Sequence, residues 1–137
     1  MMIFILALFT SFSANASNWK FWGKQSDHGR IYNAMTSFGQ PVDNFGPKKK
    51  EKSIGGLVCY EFSTIGSGGL VYFDYECSLS KSDRDDRKIY ESLAVTPVRD
   101  QNSVAGEIVD VKTVDDLTCT ERHTWYNNDV TYRCSLR

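Results

Sequence analysis

The chain has 137 residues, of which 41% are hydrophobic and 13% aromatic, and its formal net charge is -1. This length holds one domain or two very small ones, and the composition is that of a folded chain rather than a disordered one. The near-neutral balance excludes a global basic field of the kind that holds nucleic acid or an anionic membrane, so no nucleic acid partner is expected.

Residues 1–16 read as a signal peptide. Ile3 to Phe9 is an unbroken apolar run, and Ala14-Asn15-Ala16 supplies the small residues of a cleavage site. Met1-Met2 adds no Lys or Arg, so the α-amino group is the only positive charge at the start. The run is far shorter than the roughly twenty residues that span a bilayer, so no stable membrane anchor is expected. The mature chain is expected to begin at Ser17 and to be secreted or periplasmic. Residues 17–28 follow as an aromatic segment with no second copy in the chain. Its Trp19, Phe21 and Trp22 either lid the protein's own core or anchor a partner.

The remainder repeats itself. Leu57-Val58-Cys59-Tyr60-Glu61 recurs as Leu117-Thr118-Cys119-Thr120-Glu121, and Tyr75-Glu76-Cys77-Ser78-Leu79 as Tyr132-Arg133-Cys134-Ser135-Leu136. Upstream, Ile31-Tyr32 with Met35 matches Ile89-Tyr90 with Leu93, and Pro41-Val42 is set against Pro97-Val98. The same order in both halves implies a tandem duplication, with repeat unit 1 at 29–80, a linker and helix N-cap at 81–86, and repeat unit 2 at 87–137. Two copies suggest a compact pair related by a pseudo-twofold and sharing one core.

Each unit is expected to hold a helix and an antiparallel β-hairpin, an α+β fold. Ile31, Ala34 and Met35 fall on one helical stripe that ends near Gly39; Ser82-Asp83-Arg84-Asp85 resembles an N-cap for a second stripe of Ile89, Tyr90 and Leu93. Val71, Phe73, Tyr75, Cys77 and Leu79 alternate with polar residues, as do Val130, Tyr132, Cys134 and Leu136, which gives one buried and one wet face. A strand is expected at Glu107 to Val114, and its counterpart Lys48-Lys49-Lys50-Glu51-Lys52 is polar enough for an edge or a loop.

Cys59, Cys77, Cys119 and Cys134 fit an oxidising compartment, and their spacings are too long for a zinc site. Each consecutive pair is centred on a turn, at Gly68 in the first and beside Asn128 in the second, residue types that take positive φ. This favours Cys59 with Cys77 and Cys119 with Cys134, while a swapped pairing that obeys the same twofold stays open. Each bridge would stabilise its unit by about 3 kcal/mol.

Few residues carry chemistry. If the cysteines are opposed, Glu61 faces Tyr75 and Glu121 faces Tyr132, either as a carboxylate satisfied by the phenol or Lys, or as a general acid or base with a raised pKa. His123 falls between Glu121 and Trp125 on one face, the nearest approach to an acid-base cluster, whereas unit 1 has Ser63 there. No nucleophile motif, phosphate loop or metal motif accompanies it, so no catalytic residue, metal or cofactor is assigned. The lysine run at 48–52 is either a site for an anionic partner or a solvated loop. Trp19, Phe21, Trp22, His123, Trp125 and Tyr126 are the residues that would meet a partner. The expectation is a non-catalytic binding or inhibitory module acting on another protein or envelope macromolecule, with a small hydrolase or lyase using Glu121 and His123 as the alternative. In architecture alone, a tandem α/β repeat with a disulfide in each half, the chain resembles the secreted β-lactamase inhibitory proteins; it shares no motif with them, so no residue role is carried over.

Overall fold

A computed structural model describes residues 27–41 and 48–137. The expected signal peptide and the aromatic residues Trp19, Phe21 and Trp22 lie outside the described residues. The first unit contains α1 (His28–Ala34), β1 (Gln40–Pro41), β2 (Lys48–Ile54), β3 (Leu57–Ile65) and β4 (Val71–Leu79). The second contains α2 (Asp86–Ser92), β5 (Val98–Arg99), β6 (Glu107–Val114), β7 (Leu117–Thr124) and β8 (Val130–Leu136). Each unit is one antiparallel sheet, in the order β1-β2-β3-β4 or β5-β6-β7-β8.

The register follows from the disulfides. Cys59 stands opposite Cys77 and Cys119 opposite Cys134, with Cα atoms 4.1 and 4.0 Å apart, and each pair is bonded. Such close approach marks a pair without ladder hydrogen bonds between its own residues, so the N–H of the cysteine on each outer strand points away from the sheet. Those two donors are met from the helices: Cys77 N–H donates to His28 Nδ1 at 2.9 Å, and Cys134 N–H to Asp86 Oδ2 at 3.0 Å. His28 and Asp86 therefore play the same part, at the first residue of each helix. The pairing also equates Gln40 with Val98 and Pro41 with Arg99, because they oppose the matched pairs Glu51/Val111 and Lys50/Asp110. The prolines at 41 and 97 are thus two positions out of step, and the match drawn between them is replaced.

Seven-residue helices are too short to persist alone, so tertiary contacts must hold them. Ile31, Tyr32, Ile89 and Tyr90 are buried on the disulfide face of the sheets, as their spacing demands. The cap of α2 is the last residue of the segment expected to supply it, with Asp85 accepting from the Lys88 N–H at 3.2 Å. Carbonyls at the helix C-termini, which a helix leaves short of donors, are met by lysines from the sheet in addition to the long cap bonds of Met35 N–H to Tyr32 and Leu93 N–H to Tyr90. Lys52 Nζ donates to the Tyr32 and Met35 carbonyls at 2.9 and 3.2 Å, and Lys112 Nζ to those of Tyr90 and Leu93, both at 2.9 Å. Each ammonium also sits over the buried tyrosine ring of its helix, 4.3 Å from Tyr32 and 4.4 Å from Tyr90.

α1 stops at Ala34 rather than near Gly39. Met35 is extended, because it leaves the helix to bridge Leu93 of the other unit. The flanking hydrogen bonds are reciprocal: Thr36 N–H donates to the Ser92 carbonyl at 3.0 Å and Ala94 N–H to that of Ala34 at 2.9 Å. This bridge marks the pseudo-twofold. Around it Ile31, Met35, Leu57, Ile89, Leu93, Leu117 and both disulfides form one buried cluster drawn from both units. The β2–β3 turn of unit 1 also meets the start of α2, where Asp85 N–H donates to the Gly55 carbonyl at 3.0 Å. Gly55 has φ 56°, and a Cβ there would lie 2.5 Å from the Asp85 carbonyl oxygen, so both backbone and space require glycine.

The lysine run forms a strand, β2, paired along its length with β3 and flanked by β1 only at Lys50 and Glu51, so of the edge or loop expected of it, most is an edge. One further expectation is corrected. The disulfide face is buried only beneath the helices: Cys77 is buried and Tyr75 half-buried, but Val71 and Phe73 are 52% and 54% exposed. A seven-residue helix covers half of a nine-residue strand, and the rest of the hairpin projects beyond it.

Candidate functional site

The repeated Glu–Tyr pairs sit where the register places them. Tyr75 Oη donates to Glu61 Oε2 at 3.0 Å, and Tyr132 stands opposite Glu121 in the same register, close enough for the carboxylate to act on its phenol. Each tyrosine ring also packs on the helix tyrosine, with centroids 5.4 Å apart for Tyr32–Tyr75 and 5.5 Å for Tyr90–Tyr132. Burial, followed by the bond to Glu61, pushes the Tyr75 phenol up to about 12. For Tyr132 the bond to Glu121 comes first and burial second, and it too is pushed up to about 12.

The two units differ beside these pairs. In unit 2, His123 Nε2 lies 2.7 Å from Glu121 Oε1. Burial alone would push the Glu121 carboxyl up, but the hydrogen bonds from His123 and Tyr132, with the charge of Lys112 nearby, outweigh it and hold the group below the usual carboxylate range. That is the reverse of the raised value a general acid needs near neutral pH. In unit 1 Ser63 takes the place of His123, and Glu61 has Lys50 at 3.9 Å. The carboxylates are thus embedded acceptors at the sheet's centre.

Beyond them the second hairpin ends in exposed aromatic surface. β7 stops at Thr124; Thr124 and Asn127 bond side chain to side chain at 2.6 Å, Asn127 also bonds Asp129, and Asn128 takes φ 54° to turn the chain. This loop holds Tyr126 97% exposed and Trp125 68% exposed, with Val130 open beside them. Ile108, His123, Thr124, Trp125 and Asn128 line an open depression of about 430 Å³, so the structure brings His123 and Trp125 together. Glu121 meets this depression only through His123. The unit 1 hairpin ends differently, with Ile65, Leu70, Val71, Tyr72 and Phe73 exposed around the glycine turn.

Among the described residues no group of three or more His, Cys, Asp or Glu side chains is placed to hold a metal ion, and no helix is long and apolar enough to cross a membrane. Two disulfides point to an oxidising, extracytoplasmic location. The residues that sequence reasoning left without a role are Lys52, Lys112, His28 and Asp86. The lysines had a visible signal, since both precede the first cysteine of their unit by the same interval. The His28/Asp86 equivalence had none, because the two side chains share only an acceptor atom. No family model, no curated protein and no solved structure matches the chain.

Proposed function

We propose that this protein is a non-catalytic binding module, secreted or periplasmic after cleavage before Ser17, that engages another protein or an envelope macromolecule through the hairpin end of unit 2. The observation that carries this reading is the exposure of Trp125 and Tyr126 beside an open depression, at the end of a hairpin whose two strands a disulfide joins. Large aromatics cost little conformational entropy to dock, and contiguous exposed apolar surface marks interaction sites. His123 stands at the rim with 40% of its side chain exposed, so it contributes a graded contact.

Cross-linking in the native compartment, followed by capture with wild-type protein and with Trp125→Ala/Tyr126→Ala, tests the reading. One partner should be retained by the wild type and lost at least tenfold with the double variant, while His123→Ala reduces it by less. Retention unchanged by the double variant would exclude this end as the docking surface. A second reading is favoured by one observation, the 2.7 Å His123–Glu121 contact at the edge of that depression: a small hydrolase or lyase. Under it, His123→Ala and Glu121→Gln would each lower turnover about 100-fold or more with the fold intact.

A further inference from the structure

The outer faces of the two sheets, turned away from the helices, occupy equivalent positions and carry opposite charge. In unit 1, Tyr60 stands opposite Glu76 and Phe62 opposite Asp74, four neighbouring residues on one face. In unit 2 the same four positions hold Thr120 opposite Arg133 and Arg122 opposite Thr131. Aromatic rings and carboxylates in one copy of the repeat have become hydroxyls and guanidiniums in the other.

These charges have few partners within the chain. Asp74, Glu76 and Arg133 are exposed, and among the described residues none of them forms an ion pair; Arg122 has Glu107 at 3.6 Å. The arginines and threonines surround a depression of about 370 Å³. Spacing agrees as well as sign. Asp74 and Glu76 are two residues apart on β4, which sets them roughly 7 Å apart, and Arg122 and Arg133 are diagonal neighbours across β7 and β8, roughly 7–8 Å apart. Glu51, opposite Tyr60 on the other side, adds a third carboxylate to the unit 1 face, and the Tyr60 ring offers a surface on which a guanidinium stacks. The minority charges are also reversed: Lys49, which lies over the Phe62 ring, on the acidic face and Glu107 on the basic one.

We propose that the protein associates with a second copy of itself, seating the Arg122/Arg133 face of one molecule on the Asp74/Glu76 face of the other. Each molecule carries both halves of the contact, so it is heterologous, and a pair closes only where both contacts form at once. One sheet face is small beside the roughly 800 Å² per partner of a stable complex, so association is weak and falls steeply with salt. It uses neither Trp125 nor Tyr126, and it stands or falls apart from the binding reading above.

Sedimentation equilibrium of the full chain, from micromolar to near-millimolar concentration, tests it. At low salt the average mass should rise above that of the monomer, and molar salt should return it to the monomer. Arg122→Glu/Arg133→Glu should remain monomeric, and so should Asp74→Lys/Glu76→Lys, each with unchanged circular dichroism. An equimolar mixture of the two reversed variants with opposite intact faces, the first keeping its acids and the second its arginines, should associate again. Single Arg133→Glu, at an exposed and unpaired position, should weaken self-association at least tenfold if either double variant misfolds. A wild type that stays monomeric throughout would overturn the proposal. So would association that persists in both reversed variants and is lost on Trp125→Ala/Tyr126→Ala.

Discussion

Lys52 and Lys112 do more for this fold than their polarity announces. Each holds two helix-end carbonyls and lies against a buried tyrosine, so the side chain joins helix to sheet at one atom. Burial lowers the pKa of Lys52, and the Glu61 charge opposes that shift. Lys112→Met keeps the aliphatic stem but removes the ammonium donor from the Leu93 carbonyl and leaves the Tyr90 carbonyl with only the Leu93 N–H at 3.3 Å. We expect a loss of about 1–3 kcal/mol, read from the midpoint of urea unfolding. The tyrosines give a second expectation. Tyr75 and Tyr132 lose their protons near 10.0 in the unfolded chain and only at about 12 in the folded one. Their contribution to stability is therefore complete below pH 10 and is lost as the pH rises through 12. Glu121→Gln should bring the Tyr132 titration down in an ultraviolet pH titration while leaving Tyr75 in place. The opposition of glutamate and tyrosine was legible, since it needed only the cysteine register and alternation. The His123–Glu121 bond was legible as a shared face but not as a contact that holds the carboxylate ionised.

At the scale of elements, the hairpins and β6 were readable to the residue or nearly so, because cysteines, turn residues and period-two alternation all agree there. The end of helix α1 was not, and the lysine run could be read only as either an edge or a loop. Nothing local stops α1 after Ala34; Met35 turns away because Leu93, far along the chain, pairs with it. Nor does local propensity make a strand of Lys48–Ile54, whose pairing with β3 overrides its polarity. The alternation of β4 correctly separated two faces, yet it could not say how much of one face a short helix would cover. The disulfides belong to this scale, and each ties the outer strand to the middle strand under a helix. Cys59→Ala/Cys77→Ala, which opens a bridge with a separation of 18 residues, should lower stability by about 3 kcal/mol. Denaturant unfolding of the double variant measures this, and a change below about 1 kcal/mol would show that the bridge constrains little in the unfolded chain.

For the whole molecule, the duplication is the organising fact. Neither unit encloses a core alone: Leu57 and Leu117, Ile31 and Ile89, and Met35 and Leu93 form one buried cluster, joined by reciprocal backbone hydrogen bonds across the pseudo-twofold. The turn of unit 1 fits against the start of α2, and Arg30 of α1 reaches Asp115 in the β6–β7 turn at 2.8 Å. The repeat in the sequence foretold two like units, but not that their outer faces would carry opposite charge or that only unit 2 would pair a histidine with its glutamate. Duplication leaves the buried positions alike because both copies fill the same core, and leaves the surface free to diverge. The direct test of this account is native-state hydrogen exchange on the oxidised protein, comparing wild type with Leu117→Ala. We predict that the slowest amides of β3 and β7 open together in one global transition, and that Leu117→Ala lowers the protection of both by the same 2–5 kcal/mol. Loss of protection confined to β7, with β3 unchanged, would contradict a shared core and make the units two independent folds.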